Sequence, residues 1–82
     1  KFNLQNFSRT IKKLRKEKGV TQADVARFLG CTYQSFQSIE YGRSTPSSAT
    51  LLALAEYFNV SADYLLGRTD LPTAAENPLL TV

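Results

Sequence analysis

The sequence predicts an all-α unit of five short helices. Three observations carry this. Apolar residues recur at spacings of three and four along most of the 82 residues, the mark of a helical face. Asn, Thr or Ser stands just before each such run, and Gly or Asn ends several of them, where helices start and stop. No stretch alternates apolar and polar residues as a half-buried strand does.

The first helix takes its face from Leu4, Phe7, Ile11 and Leu14. Asn3 or Asn6 caps it, Lys16 and Lys18 complement the dipole of its last turn, and Gly19 stops it. Thr21 opens the second helix with Asp24 three residues on, a capping-box arrangement. Val25, Ala26 and Leu29 form its inner stripe, and Gly30 ends it in the left-handed conformation. Thr32 is a fresh N-cap, so a third helix runs from Tyr33 to about Glu40 with Phe36 and Ile39 inward. The link between the second and third helices is about three residues long, around a glycine. Such a link forces a steep crossing, the helix-turn-helix geometry. Ala26 is small where the third helix crosses over it.

"YGRSTPSS" (41–48) is a loop by composition. Ser47 or Ser48 caps a fourth helix faced by Leu51, Leu54, Ala55 and Phe58. Asn59 and Val60 break it, and Ser61 caps a short fifth helix, "ADYLL", closed by Gly67. Residues 69–82 carry two prolines and no periodicity. They are expected to be a linker or C-terminal tail after a domain spanning 1–68.

Composition excludes several classes of function. No apolar run approaches the ~20 residues a bilayer-spanning helix needs, and no signal-peptide pattern is present. The chain begins at Lys1 without Met, so its N-terminus is expected to be trimmed or to lack its first residues. With no His, a single Cys and no metal-ligand spacing, neither an enzyme nor a metal or cofactor site is expected. The lone Cys31 suits a reducing, cytoplasmic compartment. It is expected to pack in the core beside the turn, without a redox role.

The net charge of +3 hides an asymmetry. Residues 1–45 hold nine Lys and Arg against three acids, a net +6, whereas residues 46–82 carry −3. A basic half beside an acidic half fits a polyanionic partner on one side only; a solvated basic face on the first helix is the plainer alternative.

The stretch "TQADVARFLGCTYQSFQSIEYGRSTPSSATLLALAEYFNVSADYLLG" resembles the DNA-binding domain of the phage-repressor and Cro-like helix-turn-helix family of bacterial regulators. The likeness covers roughly residues 4–68. It lies in the Thr-Gln opening of the second helix, Ala26 followed by Gly30, apolar Phe36 and Ile39, and Glu40-Tyr-Gly-Arg43. A Pro-Ser start to the fourth helix and a Ser-Ala-Asp-Tyr-Leu-Leu-Gly ending complete it. Cys31 and Phe36 stand where the family more often has aliphatic residues. The resemblance implies a five-helix, lambda-repressor-like fold and sequence-specific binding of double-stranded DNA by a transcriptional regulator, of the repressor kind.

The residue types agree with that expectation on their own chemistry. With Phe36 and Ile39 turned inward, Tyr33, Gln34, Gln37 and Ser38 point outward. Gln pairs bidentately with adenine, Ser donates or accepts, and Tyr lies against a thymine methyl or reaches a phosphate. These four are the expected base contacts. Gln22 at the start of the second helix, Thr32, and Arg43, Ser44 and Thr45 in the following loop are the expected phosphate contacts. Arg9 and Lys13 add electrostatic attraction. The resemblance also implies an ion pair between Arg15 and Glu40 that orients the third helix.

A homodimer on DNA is expected, because one small domain gives a small interface. The "NPLLTV" tail is expected to dock as a dimer contact or to lead into a missing effector domain or a C-terminal partner. The rival reading is a protein-binding antitoxin or adaptor module. Such a surface more often exposes aromatic and aliphatic residues than amides.

Overall fold

Each helix starts where a short polar side chain can satisfy a free backbone amide. In the computed structural model, which describes residues 2–72, Asn3, Thr21, Thr32, Ser47 and Ser61 each accept from the amide three residues on. The helices they open are α1 (Leu4–Lys18), α2 (Gln22–Leu29), α3 (Tyr33–Glu40), α4 (Ser48–Phe58) and α5 (Ala62–Leu65). Asn3, not Asn6, is the first cap, and Ser47, not Ser48, the fourth. No strand occurs among the described residues.

At α2 the cap is reciprocal. The Asp24 amide donates to Thr21 Oγ1 at 3.0 Å, and the Thr21 amide donates to Asp24 Oδ2 at 2.9 Å. The bond from the Thr21 amide holds the Asp24 carboxyl below its ordinary pKa, helped by the Thr21 hydroxyl and by Arg27. A depressed carboxylate contributes stability above its unfolded pKa and loses it as pH falls through the folded value. Asp24→Asn, which removes the charge and leaves the Thr21 hydroxyl cap in place, is therefore expected to lower stability modestly at neutral pH. The deficit should shrink below about pH 4, the ordinary carboxylate range, as Asp24 protonates. Urea melts of both proteins at neutral and acid pH check this; a deficit that does not change with pH denies the carboxylate its part.

Between α2 and α3 the chain turns within three residues. Gly30 takes φ +72°, and the amides of Gly30 and Cys31 return to the carbonyls of Arg27 and Ala26. A side chain at Gly30 would be strained by that φ alone, since a Cβ there meets nothing. The turn does not bury Cys31. The expectation of a core cysteine is corrected: its thiol is exposed, because the residue between a left-handed stop and a fresh N-cap lies on the outside of the corner.

The core draws on every helix. Phe7 and Ile11 of α1, Val25 and Ala26 of α2, Phe36 and Ile39 of α3, Leu54, Ala55 and Phe58 of α4 and Leu65 of α5 form one buried cluster. Each large apolar side chain in it stabilises the fold by about 1.5–3 kcal/mol. A buried polar tie fixes α3 to α1: Ser8 Oγ donates to the Ile39 carbonyl at 2.7 Å. Thus α1, α4 and α5 form the support, and α2 and α3 sit on it with one face left free.

Residues 69–72 stay against the domain: the Ser61 amide donates to the Pro72 carbonyl at 2.7 Å. The expected role of "NPLLTV" lies outside the described residues.

Candidate nucleic-acid interface

Burial of Phe36 and Ile39, 0% and 8% exposed, fixes the rotation of α3 about its axis. The opposite arc carries Tyr33 and Gln34, both exposed, and Gln37 and Ser38, both partly exposed. The four expected readers therefore share one face. Tyr33, Gln34 and Ser38 make no side-chain hydrogen bond among the described residues. Their donors and acceptors are free for another molecule.

Beneath this face lies the ion pair. Arg15 Nε donates to Glu40 Oε2 at 2.6 Å and Nη2 to Oε1 at 3.1 Å, a fork on a carboxylate that is nearly closed to water. Arg15 Nη1 also donates to the Val20 carbonyl at 3.0 Å. The hydrogen bond to Glu40 raises the Arg15 pKa against the opposing effect of burial. Glu40 is the last residue of α3, so this pair sets where that helix ends relative to α1.

The expected phosphate contacts separate into three places. Gln22 stands at the start of α2 beside a shallow depression lined by Thr21, Gln22, Ala23 and Tyr33. Its amide is not free, however. Gln22 Nε2 donates to Glu40 Oε1 at 2.6 Å, and Gln22 Oε1 accepts from Gln37 Nε2 at 3.2 Å. One Nε2 hydrogen is left to point elsewhere. Thr32 is exposed, with its hydroxyl spent on the start of α3. Arg43, Ser44 and Thr45 are all exposed.

The loop that holds them is built from the end of α3. The amides of Arg43 and Ser44 both return to the Ser38 carbonyl. Gly42, at φ +74°, lies under Gln5 of α1, whose Nε2 donates to its carbonyl at 3.3 Å. A Cβ there would come within 2.8 Å of Gln5 Nε2. Arg43 is thus carried on an anchored turn, with its guanidinium 5.3 Å from the ring centre of the exposed Tyr41. Arg9 and Lys13 of α1 are exposed as well.

Besides the Gln22–Glu40 bond, two features of the site escaped the sequence. One is the placement of Tyr41, which stacks with Arg43; its position two residues before an arginine was the available signal. The other is the Gln22–Gln37 bond, which joins residues 15 positions apart and has no local signature. Among the described residues no group of three or more His, Cys, Asp or Glu could hold a metal. No described helix is long and apolar enough to cross a membrane.

A helix-turn-helix family model matches residues 11–65. The chain is 40% identical over 63 residues to YonR, an SPbeta prophage-derived uncharacterized HTH-type transcriptional regulator of Bacillus subtilis (strain 168), across 77% of this chain and 58% of that protein. To the HTH-type transcriptional regulator ImmR of the same organism it is 32% identical over 75 residues, across 92% of this chain and 59% of that one. The chain therefore spans little more than half the length of these two curated relatives. Among solved structures, the P22 c2 repressor in complex with a synthetic operator superposes with a TM-score of 0.73 at 28% identity, covering 79% of this chain and 98% of that one. The N-terminal DNA-binding domain of SinR from Bacillus subtilis gives 0.70 at 30% identity, with 76% and 91% covered. With its three-residue α2–α3 turn at Gly30, its Arg15–Glu40 fork and these likenesses, the chain belongs to the helix-turn-helix family, in the form carried by HTH-type transcriptional regulators.

Proposed function

We infer that this chain is the DNA-reading domain of a transcriptional repressor and binds its operator with α3 in the major groove. The observation that carries the reading is the free face of α3. A major groove about 12 Å wide admits one helix, and α3 is held by burial on one side while presenting Tyr33, Gln34 and Ser38, uncharged and unpaired, on the other. Gln34 reads a base edge, most simply adenine, with Tyr33, Gln37 and Ser38 beside it. Arg43, Ser44 and Thr45 hold the phosphates on one flank, and the remaining Gln22 hydrogen holds them on the other, beside Thr32, whose hydroxyl stays on the α3 cap. Arg9 and Lys13 add attraction at longer range. The partner is double-stranded DNA, bound as a homodimer in the cytoplasm. The chemistry is recognition alone, without catalysis or a cofactor. Residues 1–68 do the reading.

Selection of bound duplexes from a random pool tests the reading first. Pseudo-palindromic half-sites about 34 Å apart are expected for a dimer; sites without dyad symmetry contradict the dimer. Two variants then separate reading from gripping. Gln34→Ala should weaken the selected site by about 1–3 kcal/mol and relax preference at one base pair, with little change in salt dependence. Arg43→Ala should weaken all duplexes alike and lower the slope of log K against log salt by about one per protomer. If Gln34→Ala leaves the ratio of selected to scrambled duplex unchanged, α3 is not the reader and a protein-binding module takes precedence.

A further inference from the structure

The amides of Gln22 and Gln37 are joined head to tail and end on a buried carboxylate, and this fixes which way each one points. Glu40 is 4% exposed and forked by Arg15. An ionised carboxylate only accepts, so the group of Gln22 facing it at 2.6 Å has to be Nε2. That turns the Gln22 carbonyl away from Glu40 and toward α3. Gln37 meets an acceptor there and must offer its own Nε2, at 3.2 Å. Its carbonyl and its second N–H are left over. The order Arg15, Glu40, Gln22, Gln37 thus runs from α1 through the end of α3 and the start of α2 to the outer face of α3, with donor and acceptor assigned at every step.

We propose that Gln22 is a positioning residue: it locks the side-chain amide of Gln37 in one orientation, so the buried ion pair dictates which base pair Gln37 prefers. The inference rests on the reading of α3 as the element that contacts DNA, and it assigns Gln22 a role that phosphate contact alone does not supply. A Gln held with one carbonyl and one N–H free matches the N6 donor and N7 acceptor of adenine. An amide free to turn over presents both arrangements and pairs less selectively. Gln37 is already held before DNA arrives, so less side-chain freedom is lost on binding.

The test has one arm without DNA and one with it. In the free 82-residue chain, the Gln37 side-chain NH2 should show NMR order parameters near those of rigid backbone, about 0.85, falling below about 0.6 in Gln22→Met. Equal mobility in both proteins overturns the lock whatever the chain binds. In the second arm, duplexes selected from a random pool and varied one base pair at a time are titrated with wild type, Gln22→Met, Gln37→Ala and the double variant. Gln22→Met should flatten preference about five- to tenfold at the base pair that Gln37→Ala also flattens. The double variant should be no worse than Gln37→Ala, and the salt slope should hold. Uniform weakening on every duplex, with the preference at that base pair unchanged, overturns the proposal in favour of a phosphate contact alone. Preference retained in Gln22→Met but lost in Gln37→Ala overturns it too. If Gln34→Ala, Gln37→Ala and Arg43→Ala all leave binding unchanged, the DNA reading fails, while the NMR arm still decides whether the lock exists. Gln22→Leu repeats the measurement should the Met variant melt early.

Discussion

Glu40→Ala is expected to remove about 3–5 kcal/mol of unfolding free energy. The figure comes from what the substitution strands. Arg15 loses both arms of its fork and keeps only the Val20 carbonyl, while Gln22 loses its acceptor. A guanidinium left without its partner in a largely closed site bears the desolvation cost alone. Arg15 keeps 15% side-chain exposure, so water relieves some of that cost and the lower end of the range applies. Glu40→Gln should be milder than Ala but not neutral. It keeps the shape, yet its NH2 must face either Arg15 or Gln22 Nε2, a donor against a donor. Arg15→Met combined with Glu40→Leu should recover most of the loss, since replacing a buried pair by apolar groups of similar volume is often neutral. Urea melts of the four proteins check the ordering. A Glu40→Ala protein that melts with wild type would mean the carboxylate contributes nothing to the fold.

Phe36→Ala is expected to cost a similar 3–5 kcal/mol, by a different route. Phe36 is fully buried and lies in the same cluster as Val25, Ala26 and Leu54. Deleting the ring leaves a cavity where α3 meets the support, which no neighbour can fill without breaking its own packing. At about 4–8 °C per kcal/mol for a domain of this size, the melting temperature should fall by more than about 12 °C. Against a total stability of about 5–15 kcal/mol, such a variant sits near the edge of folding. Phe36→Leu refills most of the space and should cost far less. Thermal melts of the two variants decide it; a loss below about 1 kcal/mol for Ala would show that the site collapses around the gap.

The parts of this molecule legible in the sequence are those set by neighbours along the chain. Thr21, Thr32 and Ser61 announce their helices because a cap bonds only three residues ahead. Gly30 announces the turn because a positive φ is a property of one residue. Phe36 and Ile39 disclose the outer face of α3 because a helix has a fixed period. Contacts between distant residues carry no such signal. Nothing in the chain near Ser8 foretells a bond to a carbonyl 31 residues away. The total burial of Leu65 in the four-residue α5 has no periodic run to reveal it. Cys31 was misplaced because small sulfur residues are usually buried, and the corner's local geometry overrode that preference. For Gln22, a position at a helix start suggested phosphate, whereas a carboxylate from another helix already holds half of its amide.

The division of labour within α3 bears on descent. Phe36, Ile39 and Glu40 face inward and hold the helix; the side chains of Tyr33, Gln34 and the partly exposed Ser38 face outward and make no hydrogen bond among the described residues. Substitutions at such exposed positions usually change stability by no more than about 0.5 kcal/mol. On the proposed reading of α3, a lineage carrying this domain can therefore retarget itself one residue at a time, every ancestor along the route remaining a folded protein. Gln37 is the exception, since exchanging it also disturbs a partner on α2. Among homologous chains, variation should run freely at 33, 34 and 38, while 37 should change in step with 22.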